Sequence, residues 1–176
     1  DYRFGNLQVT DEEDYIDKSD SALVKWFERI PYVYAATPRL DSSAAINITK
    51  FGTRIEETRI PIVGVDPLRD IRASTAHTTV TEGQYVFARN SIVLGSSVAH
   101  DLGGAQVGDD VKLKIVDRYG QDQLRRFIVT GIANSPGGNG FDYSAVIHID
   151  TLRDMMNRDG FTGSIMVKLD DPSKSA

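Results

Sequence analysis

An α+β fold in two parts is what this sequence predicts, on three observations. Residues 92–132 pack a strand, a short helix and a β-hairpin into one run, with glycine at the joints. Ahead of that run, one amphipathic helix precedes a series of alternating strands. Behind it, residues 164–169 alternate Ile165, Val167 and Leu169 against Met166 and Lys168, as a half-buried strand does.

Taken in order, residues 6–10 are predicted as a first strand with Leu7 and Val9 on one face. The acidic run 11–14 reads as a solvated turn, because the alternating acidic spacing and central glycine of a calcium loop are absent. Asp20 is predicted to cap a helix reaching about Ile30, with Leu23, Trp26, Phe27 and Ile30 as its apolar stripe and Lys25, Glu28 and Arg29 facing water. Pro31 ends it. Burying four such side chains contributes on the order of 1.5–3 kcal/mol each against the entropy of ordering, so the helix must lie on a sheet. That sheet is expected from residues 32–36, closed by Pro38, from residues 45–49, and from residues 60–65 after a turn at Phe51-Gly52-Thr53, with Pro61 marking an edge or bulge. Strand, helix and further strands in this order predict a ferredoxin-like α/β sandwich.

Asp66-Pro67 breaks the pattern. From residue 68 to 161 the chain turns to short strands with frequent glycine, so we expect a mostly-β subdomain (68–161) inserted into an α/β subdomain (1–67 and 162–176), with residues 164–169 returning to the first sheet. Within the insert, Ile92-Val93-Leu94 is a strand, Ser96 to Leu102 has helical spacing and Gly103-Gly104 stops it. Val107-Gly108-Asp109 makes a turn. Val111, Leu113 and Ile115 then alternate with Lys112 and Lys114, the hairpin tip falls near Tyr119-Gly120, and the returning arm carries Phe127, Val129 and Ile132.

Composition bounds the function. With 176 residues, 40% hydrophobic and 26% charged, the chain can bury a real core. Twenty basic against 25 acidic residues, a net charge of −5, argue against a broad nucleic-acid-binding face. Zero cysteines exclude disulfides and thiolate metal sites and leave the redox compartment open. No apolar run approaches the roughly 18 residues needed to cross a bilayer and no signal pattern opens the chain, which leaves either a soluble protein or an excised piece of a longer one.

Several residues invite a chemical reading. Gly95-Ser96-Ser97-Val98-Ala99, at a strand-to-helix turn, has the look of a nucleophile elbow with Ser97 as nucleophile. A serine that simply caps the helix explains it better, because His100 is too near in sequence and His148 sits in an alternating strand. His77, His100 and His148 lie far apart without metal-ligand spacing, so no metal is expected, and Asp109-Asp110 fits a turn. The glycines of residues 137–140 lack the Lys-Ser or Lys-Thr of a phosphate cradle, so no nucleotide or other cofactor is expected. Residues 134–143 read as an exposed, mobile loop in which Phe141 and Tyr143 are the candidate partner contacts. Thr151-Leu152-Arg153-Asp154 reads as a capping box, with Met155 and Met156 behind it as core filling.

Five fragments in succession carry a resemblance: Ile62-Val63-Gly64-Val65-Asp66-Pro67, Glu82-Gly83, the run from Ile92 to Leu102, Val107-Gly108-Asp109, and Phe127-Ile128-Val129-Thr130-Gly131-Ile132. Over roughly residues 6–172 the chain resembles the MacB-like periplasmic core domain, the extracytoplasmic domain between the first two membrane helices of FtsX/MacB/LolE-type ABC transporter permeases. The resemblance implies membrane helices before Asp1 and after Ala176, and a further helix beginning near Asp171-Pro172-Ser173, so that the α/β subdomain is incomplete here. It also implies a non-catalytic role, with ATP bound by a cytosolic ATPase subunit reached through the membrane part, a second permease copy in the membrane, and an extracytoplasmic protein or lipid partner. No partner-binding residue carries over from the family. The competing expectations are a free-standing soluble module that binds peptide, sugar or lipid, and a serine hydrolase built on Ser97.

Overall fold

Two long strands frame the molecule. The computed structural model describes residues 7–9, 20–135 and 141–170, and in it β2 (Val33–Lys50) and β3 (Thr53–Val65) form one hairpin that turns where expected, at Phe51-Gly52. Both turn residues take positive φ, 51° and 79°, the left-handed pair that matches the natural twist of a two-residue hairpin. Halfway along, the register slips between Ala44 and Ile46 of β2, and Arg59 of β3 stands at φ 60°. This is the bulge that Pro61 signals.

Around that hairpin six strands close into a ring. β3 pairs in parallel with β8 (Ala145–His148), β8 with β5 (Ser91–Gly95), β5 in parallel with β7 (Asp122–Ala133), β7 with β6 (Asp110–Val116), and β6 returns to residues 45–48 of β2. The inward face is apolar because the alternation demands it: Val111, Leu113 and Ile115 of β6 are buried, as are Phe127 and Val129 of β7 and Ile46 and Ile48 of β2. α3 (Ser96–Asp101), with Leu102 as its C-cap, and α4 (Ile149–Met156) supply Val98, Leu102, Leu152, Met155 and Met156 to the same core. α4 lies so close on β3 that a side chain at Gly64 would meet Leu152 Cδ2 at 2.9 Å. β4 (Val80–Gly83) adds to the free side of β7's end.

The other half of β2 builds a smaller unit, the foot. Residues 33–39 pair with β9 (Ser164–Leu169), which pairs on its far side with β1 (Leu7–Val9), so β1 and β2 run parallel on either side of an antiparallel β9. α1 (Asp20–Phe27) covers one face through Val24 and Phe27 against Ala36, Ile165 and Val167. β9 thus returns to the first sheet. The ladder also crosses the expected subdomain boundaries, since β2 and β3 pair with β6 and β8 of the 68–161 segment.

Four local expectations need correction. Pro38 does not close a strand: β2 is continuous over 18 residues, and β3 joins it only from Arg39, so one edge is open where a residue without N–H is tolerated. Asp66-Pro67 opens a helix, α2 (Pro67–Ala73), in which the Asp66 carboxylate accepts from Arg69 N at 3.3 Å and proline takes the first helical position. α1 stops at Phe27 and buries Val24, leaving Trp26 exposed, with Asp20 inside the helix. α4 starts at Ile149, capped by the His148 side chain, while Thr151 is buried and donates to the Arg89 carbonyl at 2.8 Å. Residues 11–14 and 136–140, read above as a turn and a glycine loop, lie outside the described residues.

Candidate functional site

The segment carrying Phe141 and Tyr143 is locked to the start of α3. The Asp142 carbonyl accepts from the N–H groups of Ser97 (3.0 Å) and Val98, and Gly95 N donates to the Ser144 carbonyl at 2.8 Å. The fit needs glycine at 95, because a Cβ there would fall 2.0 Å from the Phe141 oxygen. The Asp142 side chain accepts from Ser135 N at 2.7 Å, closing the base of the loop.

Exposure therefore divides the expected loop. Asn134 and Tyr143 face solvent, Asp142 is buried, and Phe141 is half-buried against the cluster of Val65, Tyr85, Val86, Val93 and Val146, with the Arg39 guanidinium 5.9 Å from its ring. The expectation that the whole stretch is exposed fails at Phe141 and Asp142. Their backbone and ring are needed to close the end of the β5–α3 joint.

Beneath Phe141 lies a buried polar cluster. The Asp70 carboxylate of α2, with no solvent exposure, accepts from Arg39 (2.9 Å), from the Tyr85 hydroxyl (2.8 Å) and from the Ser74 hydroxyl (2.9 Å). Each carboxylate oxygen is thus engaged, as a buried charge requires. Burial pushes the Tyr85 hydroxyl pKa well up, the Asp70 charge and hydrogen bond add to this, and Arg39 opposes it. The cluster clamps α2 onto β2 at Arg39, where β2 leaves β9 and joins β3. No motif announces it, since Arg39, Asp70 and Tyr85 are far apart in the chain.

The residues with a chemical reading do not assemble into a catalytic group. Ser97 is held by its backbone, and His148 Nδ1 accepts from Asp150 N at 3.2 Å, which commits that nitrogen to capping α4. Burial pushes the His148 pKa down, with Asp150 opposing. His100 is exposed on α3, and His77 sits in a 3₁₀ turn with its ring in a T-shaped arrangement with that of Tyr85, centroids 6.3 Å apart. Among the described residues no group of three or more His, Asp or Glu side chains converges on a metal position. Met155 and Met156 fill the core.

A carboxylate braces each hairpin tip. Lys50, beside Phe51, donates to the Gly104 carbonyl (2.6 Å) and pairs with Asp109 (2.9 Å). Burial alone raises the Asp109 carboxyl, yet hydrogen bonds from Lys50 and Gln106 N and the Lys50 charge hold it below the usual range. At the other tip Asp117 accepts from Gln121 N, Gln123, Tyr119 N and, at 2.6 Å, the Asn157 amide that follows α4. The backbone bond from Gln121 leads in lowering its pKa, burial opposes, and the other three donors add to the lowering.

Comparison with known proteins agrees with this architecture. The periplasmic region of MacB from Actinobacillus actinomycetemcomitans superposes with a TM-score of 0.63 at 15% identity, covering 91% of this chain and 69% of that one. The extracellular domain of the noncanonic ABC-type transporter YknZ from Gram-positive bacteria gives 0.59 at 12% identity, covering 95% and 76%. A domain of a putative permease protein from Porphyromonas gingivalis gives 0.55 at 15% identity, covering 82% and 60%. These likenesses show a shared mixed α/β, mostly-sheet fold. No curated protein matches by sequence. Among the described residues no helix is long and apolar enough to cross a membrane. The family description that matches, over residues 3–176, is the MacB-like periplasmic core domain, and the chain therefore belongs to that family, the extracytoplasmic part of MacB-like ABC transporter permeases.

Proposed function

We propose that this domain is a non-catalytic lever that carries the work of cytosolic ATP hydrolysis to a substrate or partner outside the membrane, whether by export, by lipoprotein or lipid extraction, or as a mechanical signal. One observation supports this most: β2 runs unbroken for 18 residues from the foot into the ring, about 55 Å if fully extended. Leu40 and Ala44, in its middle stretch, are buried in the ring core, so the two parts meet through packed strand. The partners on this reading are an ATPase subunit, a second permease copy and an extracytoplasmic protein or lipid. Phe141 and Tyr143 remain the proposed protein contact, with Tyr143 as the part a partner reaches and Phe141 as the packed base beneath it.

The two-part division at residues 67 and 162 belongs to the same proposal, as does a ferredoxin-like foot. The β1–α1–β2 unit split by antiparallel β9 supports the latter. In the intact permease with its ATPase, two glycines inserted between Ser42 and Ser43 leave both ends of β2 paired and soften only its middle. ATP hydrolysis is expected to continue while transport or signalling falls about tenfold or more, an effect of loosened geometry on work done at a distance. Unchanged output with the inserted glycines contradicts the lever. Generic ester turnover lost on Ser97→Ala contradicts the non-catalytic role.

A further inference from the structure

One length of ring strand is left over. β7 runs for 12 residues, and β6 pairs with residues 122–128 of it. On the other side β5 joins only at Ile128, so residues 122–127 have no strand beside them there among the described residues. Alternation decides which backbone groups face that open side. Ile128 N donates toward β5, to the Asn90 carbonyl at 2.9 Å, and Val129 N donates the opposite way, to the Asp109 carbonyl at 2.9 Å. The β6–β7 ladder holds one register along its whole length, without a bulge. The N–H and C=O groups of Asp122, Leu124 and Arg126 therefore point out of the open edge, as those of Ile128 point to β5.

The side chains along this edge carry a pattern of their own. Leu124 is 65% exposed on the outward face between Asp122 and Arg126, and Val116, 59% exposed, stands opposite Asp122 on β6. Both charges already have a partner within the hairpin, Asp122 with Lys114 at 3.5 Å and Arg126 with Asp110 at 2.5 Å. All four are exposed, so each of these pairs holds little energy and leaves either member open to a further partner. Charge on an edge ordinarily keeps other strands away. Here the order acid, leucine, base reverses sign about Leu124, which turns that defence into a match for one strand, the same sequence running the other way.

A two-fold pairing centred on Leu124 sets Arg126 of each copy beside Asp122 of the other and Leu124 beside Leu124, all with backbone groups facing for hydrogen bonds. Centring on Asp122, Arg125 or Arg126 sets a charge against its own copy, and centring on Gln123 sets Asp122 beside Leu124. We propose that two copies of this domain join edge to edge through residues 122–126 of β7, antiparallel, with Leu124 on the two-fold axis. The inference rests on the second permease copy of the proposed reading, and not on the lever. So short a strand pair buries little area, so the domain alone is expected to stay monomeric. The pairing forms where the membrane holds two copies at an effective concentration on the order of millimolar.

The test uses the intact permease with its ATPase, free of cysteine elsewhere. Leu124→Cys is expected to link two copies in the membrane through a short bismaleimide, while Glu82→Cys on β4 does not. Two charge reversals then read the register. Asp122→Arg sets arginine against arginine at both ends of the pair, Arg126→Asp sets aspartate against aspartate, and each is expected to lower linkage at position 124 about fivefold or more. Co-expressed, the two variants meet with every charge matched, and linkage between them is expected to return to the parent level, which also shows that both fold. A mixed pair that links no better than either variant alone overturns the proposal. So does a membrane dimer in which Leu124→Cys stays unlinked, and so does its linkage to a different protein in place of the second copy. Failure of the underlying reading looks different, as a permease that leaves the membrane with a single copy. Normal output from the glycine-inserted permease bears on the lever alone.

Discussion

The ring and the foot share β2 but are held in different ways. In the ring, every one of six strands has two strand neighbours, and among the described residues 23 buried apolar side chains form one core. In the foot, three strands carry one helix, and the buried cluster among the described residues has five members. Closure removes edges and gives each strand two ladders; the foot keeps β1 and one face of its sheet dependent on far fewer contacts. Opening by local unfolding is therefore expected to start at the foot and to reach the ring last. The ring holds the larger core, and the foot is the part expected to unfold first.

Substitutions sharpen this contrast. The largest effect is expected at the junction: Asp70→Ala strands the Arg39 charge and the Tyr85 hydroxyl and costs about 3–5 kcal/mol in chemical denaturation. Leu113→Ala, deep in the ring, costs about 2–5 kcal/mol and lowers the global midpoint. Ile165→Val in the foot costs about 0.5–1.5 kcal/mol. It is expected to speed amide exchange in β9 before it touches β6. If the matched change Ile115→Val in the ring proves milder than Ile165→Val, the ring is not the more tightly packed part.

Three side chains of the ring, His148, Asp109 and Asp117, carry a pH response. His148 caps a ring helix as a neutral acceptor, and its folded pKa lies below the unfolded value near about 6.5. The unfolded chain therefore binds the proton more readily, so this contribution is fully present above that pH and is lost as pH falls through it. His148→Asn, which keeps a capping side chain, is expected to flatten stability between about pH 7 and pH 5. Asp109 and Asp117 act in a lower window, since their depressed carboxyls hold stability above about pH 4 and release it below. The smallest effect is expected at Trp26→Ser, within about 0.5 kcal/mol, because the ring is mostly in solvent.

Much of the ring was legible in the residues. Val111, Leu113 and Ile115 alternate cleanly because one face of β6 is core and the other water, and Gly103-Gly104, at φ 74° and 75°, stop α3 where sequence places the stop. The continuity of β2 was not legible, because proline at 38 is tolerated only through an open edge that pairing with β3 and β9 creates. α2 left a signal in Asp66-Pro67, a cap followed by proline at the first helical position, which also reads as a break. The exposure of Trp26 was hidden, since the spacing 23, 26, 27, 30 and the observed burial at 24 and 27 differ by a small rotation of a short helix. The candidate contact was half legible: an aromatic pair beside glycines points to a surface, but nothing local says that Phe141 packs over Arg39 while Tyr143 does not.

The central claim is that ring and foot move as one body joined through β2. Because the chain has no cysteine, Lys25→Cys in α1 and Arg54→Cys beside the β2–β3 tip accept one spin label each without background. A pulsed dipolar measurement between them is predicted to give a single narrow distance distribution. A broad or two-peaked distribution, showing the foot hinging on the ring, would contradict the account.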